Sequence, residues 1–149
     1  MQMIKILLIF TLLPLSSLAA PSKSDDILGL WLSEEKDGVI KMTREGDLII
    51  GHLVWILPAN GEKVEDLLDI ENPDDSLKKR PLLGIKLLKD FKFDDGRWED
   101  GSIYDPKSGK TYSAKMNLEN ENTLKLRGYV GIPLFGRTSA WSRVDKFPK

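Results

Sequence analysis

The side chains that could do chemistry in this 149-residue chain are few, and their types point away from catalysis. His52 is the single histidine, and the chain has no cysteine. A nucleophilic triad would have to pair this histidine with a serine, and no serine stands in a Gly-x-Ser-x-Gly turn. A zinc site needs several His, Cys or carboxylate ligands. Because His52 also lies in an apolar run, a structural role is favoured, and we expect no enzyme activity, no metal and no cofactor.

The segment 103–112 carries the most distinctive polar motif, with a Tyr-Asp-Pro-Lys-Ser-Gly-Lys run at its centre. Asp105, followed by a proline and a glycine, is typical of a hairpin turn, since aspartate bonds the turn backbone, proline presets φ and glycine accepts a positive φ. The alternative is that Tyr104, Asp105 and Lys110 present a hydroxyl, a carboxylate and an ammonium group at the mouth of a ligand site.

Arg80 and Arg137 are the other cations of interest, because each lies beside apolar residues and a glycine or proline. Either could bind the anionic head group of a ligand, although an ion pair within the fold is the favoured alternative. Aromatic side chains could wall an apolar pocket or simply fill a small core. The candidate ligand-binding residues are Trp55, Arg80, Tyr104, Asp105, Tyr112, Met116 and Arg137.

The first residues are typical of an export signal. Lys5 precedes an apolar run over 6–13, and Ser17 and Ala19 supply the small residues that a signal peptidase reads. A membrane anchor is disfavoured because the run is short and Pro14 breaks it. We expect a signal peptide over 1–19, a linker over 20–26 and one domain over 27–149, in the periplasm or secreted. Lipid attachment is excluded by the lack of cysteine.

Charge composition excludes some partners. The chain has 22 basic and 23 acidic residues, and the two signs are interspersed. It therefore lacks the basic surface that nucleic acids select. Without cysteine there is no disulfide framework, so stability must come from the core.

Eight strands separated by turn residues are predicted along the chain. Their alternation is cleanest over 111–118, where Tyr112, Ala114 and Met116 share one face. Such strands can close into an antiparallel barrel whose interior is filled or holds one small ligand. The fold class is therefore all-β. The predicted strands are residues 29–33, 39–43, 48–56, 85–93, 97–104, 111–118, 123–129 and 137–144.

The exception is the long connection over 58–84, between the third and fourth strands. Residues 64–70 could form a helical turn or two, and residues 73–76 could start another that stops before Arg80. Connections of this length usually cap or bind something. A lid over one end of the barrel is the simpler interpretation.

The two ends of the folded part carry a closure motif typical of calycin-like barrels. Gly29 and Trp31 begin the first strand, and Trp141 and Arg143 end the last. A guanidinium group lies flat on an indole ring and stabilises the contact by about 0.5–2 kcal/mol. We expect Arg143 to cover Trp31 and close one end of the barrel.

Further motifs stand in fixed order along the chain, at residues 80–84, 98–106, 109–114, 123–129 and 136–143. Together they resemble the bacterial exported family of the domain of unknown function numbered 2147, and the resemblance covers essentially all of the chain after the signal. It implies a lipocalin-like barrel in the cell envelope, with no activity attached. Many relatives carry cysteines near the third strand and the final loop, so any disulfide of theirs is absent here.

These observations favour non-catalytic binding of a small apolar or amphipathic ligand. The expected cavity is lined by Ile40, Trp55, Met116 and Leu126, with Arg80, Tyr104 or Arg137 near the polar end of the ligand. The alternative is an envelope protein interaction module with a filled barrel, working through the 58–84 loop. Neither reading involves nucleic acid or a transmembrane anchor in the mature chain.

Overall fold

The computed structural model describes residues 22–149, so the predicted signal peptide lies outside the described residues. Each strand pairs antiparallel with the next, and the last pairs with the first to close an eight-stranded barrel. The predicted fold class is confirmed, and the strand bounds differ only slightly from those expected. The strands are β1 Gly29–Leu32, β2 Gly38–Glu45, β3 Leu48–Ile56, β4 Lys86–Asp94, β5 Arg97–Asp105, β6 Lys110–Asn120, β7 Thr123–Tyr129 and β8 Arg137–Val144.

One end of the barrel is filled by large side chains. The tight turns after β2, β4 and β6 lie at this end, and Trp31, Phe91 and Trp98 are fully buried inside it. Gly101 makes this packing fit, because a Cβ atom there would lie 2.4 Å from the Phe91 ring. The filled half of the barrel therefore supplies the core on which the domain depends.

A short 3-10 helix, Ser24–Ile27, covers the filled end. Trp31 Nε1 donates to the carbonyl oxygen of Ile27 at 2.8 Å, and Trp98 Nε1 donates to that of Ser24 at 3.2 Å. Buried indole N–H groups need acceptors, and this turn provides them. Residues 24–26, at the end of the segment expected to be a linker, therefore lie in this cap.

The expected contact between Arg143 and Trp31 is present. The guanidinium carbon lies 4.3 Å from the indole centroid. The same group donates to the carbonyl oxygens of Asp26, Leu28 and Glu121, so it joins the cap and the β6–β7 turn to the last strand. Gly29 approaches this group closely, and its φ of +122° is one that favours glycine.

The long connection between β3 and β4 folds back onto the barrel. It contains the 3-10 helices Val64–Asp66 and Asp75–Leu77, within the two stretches where helical turns are predicted. Its backbone presses on the β5–β6 turn, where a Cβ atom on Gly109 would lie 1.9 Å from the carbonyl oxygen of Glu71. Only glycine allows this approach, and Gly109 also has a φ of +71°.

Candidate functional site

The open half of the barrel and the connections around it form an open cavity of about 960 Å³ at the end opposite the cap. This volume lies within the range of small-molecule sites, about 300–1,000 Å³. The connections β1–β2, β3–β4, β5–β6 and β7–β8 surround its mouth. Most of its wall is apolar, with side chains supplied by strands from around the barrel. The apolar wall includes Ile40, Leu53, Ile56, Leu87, Ile103, Leu126 and Trp141.

Two of the four residues expected to line a cavity do so. Ile40 and Leu126 lie on the wall, whereas Met116 is buried in the filled half and is absent from the cavity lining. Trp55 is also absent from the lining. Because Leu53 and Ile56 both line the wall, the alternation of β3 is broken between them, opposite the register shift next to Ile40.

Charged side chains ring the mouth of the cavity. Lys107 Nζ lies 2.5 Å from Glu35 Oε2 and 2.7 Å from Asp37 Oδ2. Hydrogen bonds to Asp37 and Glu35 raise the pKa of Lys107, so it carries its charge at neutral pH. Arg137 is exposed, and its Nη2 atom lies 3.9 Å from Glu34 Oε2. The cations of the mouth are thus paired with carboxylates of the β1–β2 connection.

The β5–β6 turn has the geometry of the hairpin interpretation. Asp105 accepts hydrogen bonds from the backbone N–H of Lys107 at 3.0 Å and from Ser108 Oγ at 2.6 Å. Asp105 and Tyr112 both line the cavity. Lys110 is exposed on β6 and is not part of the lining. The expected trio of hydroxyl, carboxylate and ammonium groups is therefore not assembled at the mouth.

Arg80 and Tyr104 belong to a buried polar cluster that sequence reasoning missed. Its centre is Asp69, which is fully buried. Tyr104 Oη donates to Asp69 Oδ1 at 2.5 Å, Asn72 Nδ2 donates to Oδ2 at 2.8 Å, and Arg80 Nε donates to Oδ2 at 2.9 Å. Arg80 Nη2 forms the ion pair at 2.8 Å. Arg80 is therefore paired within the fold.

The electrostatics of Asp69 follow from these contacts. Burial by itself would raise the pKa of Asp69, but the hydrogen bonds from Tyr104, Asn72 and Arg80 outweigh burial and hold the pKa below its ordinary value. Asp69 is consequently ionised at neutral pH and forms an ion pair with the Arg80 guanidinium group. The cluster fixes the long connection to β5, next to the cavity. The one sequence signal for it was a lone aspartate between apolar residues, Leu-Leu-Asp-Ile.

A family model described as "Uncharacterized protein conserved in bacteria (DUF2147)" matches residues 29–143. The chain belongs to the DUF2147 family. The match spans all eight strands except the last residue of β8, and it confirms the family expected from the sequence.

The DUF2147 barrel is also similar to a solved structure, protein HP1028 from the human pathogen Helicobacter pylori, which is described as belonging to the lipocalin family. The two share 21% sequence identity with a TM-score of 0.70, over 79% of this chain and 82% of the other. At this identity the likeness concerns the fold, and it confirms the lipocalin-like barrel. No curated protein matches the sequence.

The remaining candidate in the DUF2147 chain is His52, which is half-buried on β3 and lies opposite Lys41 and Lys86 on the neighbouring strands. It is not part of the cavity lining. Within residues 22–149 no group of three His, Asp or Glu side chains is placed to hold a metal ion. Over the same residues, no helix has the length and apolar character required to cross a membrane.

Tyr104 leads to a prediction for the DUF2147 barrel at high pH. Burial, and then the hydrogen bond to Asp69, raise the pKa of Tyr104 from 10.0 to about 12. The folded state favours the neutral phenol, so its contribution to stability is complete below pH 10 and is lost as the pH rises toward 12. The difference in unfolding free energy between wild type and Tyr104→Phe should therefore shrink by about 2–3 kcal/mol over this interval.

Urea unfolding of both proteins at a series of alkaline pH values measures this difference. Lysines and the other tyrosines titrate in both proteins, so their effects cancel. The interval from about pH 9 to about pH 12 brackets the ordinary tyrosine pKa of about 10. If the difference in unfolding free energy between the two proteins stayed constant over this interval, the role of the Tyr104 hydroxyl would be contradicted.

Proposed function

We propose that this DUF2147 protein is an exported, non-catalytic binding protein that holds one small apolar or amphipathic ligand in the open half of its barrel. The observation that carries the proposal is the cavity of about 960 Å³ with a mostly apolar wall. An apolar ligand gains free energy by leaving water for such a wall. The other half of the barrel is filled by buried side chains and capped by residues 24–27, so the cavity lies at the opposite end.

The location is part of the proposal and rests on residues 1–19. Their basic residue, apolar run and small residues before the predicted cut favour export to the periplasm or secretion. The absence of catalysis is also proposed, since His52 lies away from the cavity lining and the cations at the mouth are paired with carboxylates.

Native mass spectrometry of protein purified gently from the exported fraction tests the proposal. The expected mass is that of a mature chain beginning at Ala20, together with the extra mass of a bound ligand that is lost on denaturation. In parallel, the neutral dye N-phenyl-1-naphthylamine should bind the purified barrel and become fluorescent. Apolar alcohols should displace it, with affinity rising about fourfold for each added methylene, since each buried methylene is worth about 0.8 kcal/mol. Absence of both an adduct and dye binding would refute the proposal.

A second candidate is an interaction module that docks an envelope protein at the open end. Large apolar side chains are exposed on the two connections beside the mouth: Leu57, Ile70, Leu83, Val130, Ile132, Leu134 and Phe135. A photo-crosslinking residue at position 134 should then capture one defined protein in cells, whereas the same residue at position 47, at the capped end, should not. Equal capture from both positions would count against this function.

A further inference from the structure

The charges around the mouth of the cavity are unequal. Two cations, Lys107 and Arg137, lie among the lining residues, together with five carboxylates. The lining therefore has three negative charges in excess. The carboxylates are Glu34, Glu35, Asp37, Glu71 and Asp105.

Both cations lie beside carboxylates of the β1–β2 connection. Lys107 lies between Glu35 and Asp37, at 2.5 and 2.7 Å. Arg137 faces Glu34 at 3.9 Å. Arg80, which also could have served, is held by the buried carboxylate of Asp69. A carboxylate or sulfate group at the mouth would therefore meet like charges and would displace an existing ion pair.

Aromatic side chains provide an independent observation. Tyr112, Tyr129, Phe135 and Trp141 all line the cavity. Tyr129 ends β7 and Phe135 lies in the β7–β8 connection, so these two rings are at the mouth, whereas Trp141 lies deeper, opposite Leu124. The faces of aromatic rings attract cations, and quaternary ammonium groups are recognised in this way because they are bulky and weakly hydrated. Aromatic rings beside excess carboxylates form a suitable environment for such a group.

We infer that the cavity selects amphiphiles with a cationic head group, of the quaternary ammonium class, over anionic amphiphiles with the same chain. The apolar chain lies against the inner wall, and the head group remains at the mouth beside the carboxylates and the aromatic rings. This inference rests on the proposed function, because it concerns the ligand of the same cavity. It agrees with the favoured interpretation of Arg80 and Arg137 as partners of carboxylates within the fold, rather than as anchors of an anionic head group.

Displacement of N-phenyl-1-naphthylamine by dodecyltrimethylammonium, dodecanol and dodecanoate, each below its micelle concentration, tests the inference. At low salt the ammonium compound should bind at least about tenfold more tightly than dodecanoate, with dodecanol between them. The ratio should shrink at about 1 M salt, where the screening length falls to about 3 Å. Equal or tighter binding of dodecanoate would overturn the inference and leave the proposed function standing. If the dye and all three compounds fail to bind, the proposed function itself fails.

A pair of variants locates the source of the selectivity. Replacement of two exposed mouth carboxylates, Glu35→Gln with Glu71→Gln, should reduce the preference for the ammonium compound several-fold. The matched control, Asp47→Asn with Glu121→Gln, removes the same charge from exposed turns at the capped end and should keep the preference. An equal loss of preference in both double variants would overturn the assignment to the mouth. The salt dependence of the unmodified protein tests the same point without substitution.

Discussion

Replacement of Trp31 by alanine is expected to lower the free energy of unfolding by about 3–5 kcal/mol, which is the usual cost of removing a large buried aromatic side chain. Trp31 is fully buried in the filled half of the barrel. The substitution leaves a cavity there, removes the donor to the Ile27 carbonyl and takes away the ring beneath Arg143. A domain of this size has a total stability of about 5–15 kcal/mol, so the variant should be marginally folded.

Urea unfolding followed by far-ultraviolet circular dichroism measures this loss. Trp31→Phe is the matched control, because it retains most of the ring and removes the N–H donor, and it should cost less than alanine. Trp55→Ala supplies a second control from a half-buried tryptophan that the cavity lining does not include. A loss below about 1 kcal/mol for Trp31→Ala would show that the filled end does not hold the domain together.

Gly128→Phe is expected to weaken binding of apolar ligands by at least about tenfold while the protein stays folded. Gly128 lines the cavity and continues the inward alternation of Leu124 and Leu126 along β7. A Cβ atom there would make ordinary contacts, at 3.6 Å from Ile103 and 3.7 Å from Tyr112, so there is room for a side chain. The added ring would occupy space that the ligand needs, and losing about two buried methylenes already costs more than tenfold in affinity.

Dye titration, with the unfolding free energy measured in parallel, tests this prediction. Asn117→Phe is the control, because it adds the same ring at an exposed position of β6 and should leave affinity unchanged. Unaltered binding by a folded Gly128→Phe protein would mean that the ligand lies elsewhere. That result would favour the second candidate function, in which the exposed apolar connections bind another protein.

The two halves of the barrel have different roles, and the buried polar cluster of Asp69, Asn72, Arg80 and Tyr104 lies beside the open half. The filled half stabilises the fold, and the open half is available for a ligand. Asp69 holds the β3–β4 connection to Tyr104 on β5, beside the mouth. Since Arg80 is committed to Asp69, the cluster also explains why this cation is not presented to a ligand.

Local patterns predicted much of the architecture. Period-two alternation and turn residues predicted eight strands, because both are properties of a few neighbouring residues. The closure by Trp31 and Arg143 was also predictable, since a tryptophan in the first strand and an arginine at the end of the last form a motif typical of calycin-like barrels, and a guanidinium group stacks well on an indole ring. The signal peptide and the location stay predictions.

The lining of the cavity depended on register. Trp55 was expected on the wall as an aromatic residue that could line an apolar pocket, but Leu53 and Ile56 line the wall instead. The alternation of β3 breaks between these two residues, and this break accompanies a register shift against β2. Met116 was placed on the correct face, yet its height along the barrel puts it in the filled half. Neither the shift nor the height is encoded in the residue pattern of one strand.

The sequence by itself determined the all-β class, the order and bounds of the strands, the closing contact and the family. The tertiary structure alone decided which half of the barrel is open, that Arg80 is paired with the buried Asp69, and that residues 24–27 form a cap. The physical reason is the range of the interactions. Alternation and turn chemistry act between near neighbours, whereas Asp69 meets Tyr104 across 35 residues and Trp98 meets Ser24 across 74, so these partners are defined only when the barrel closes.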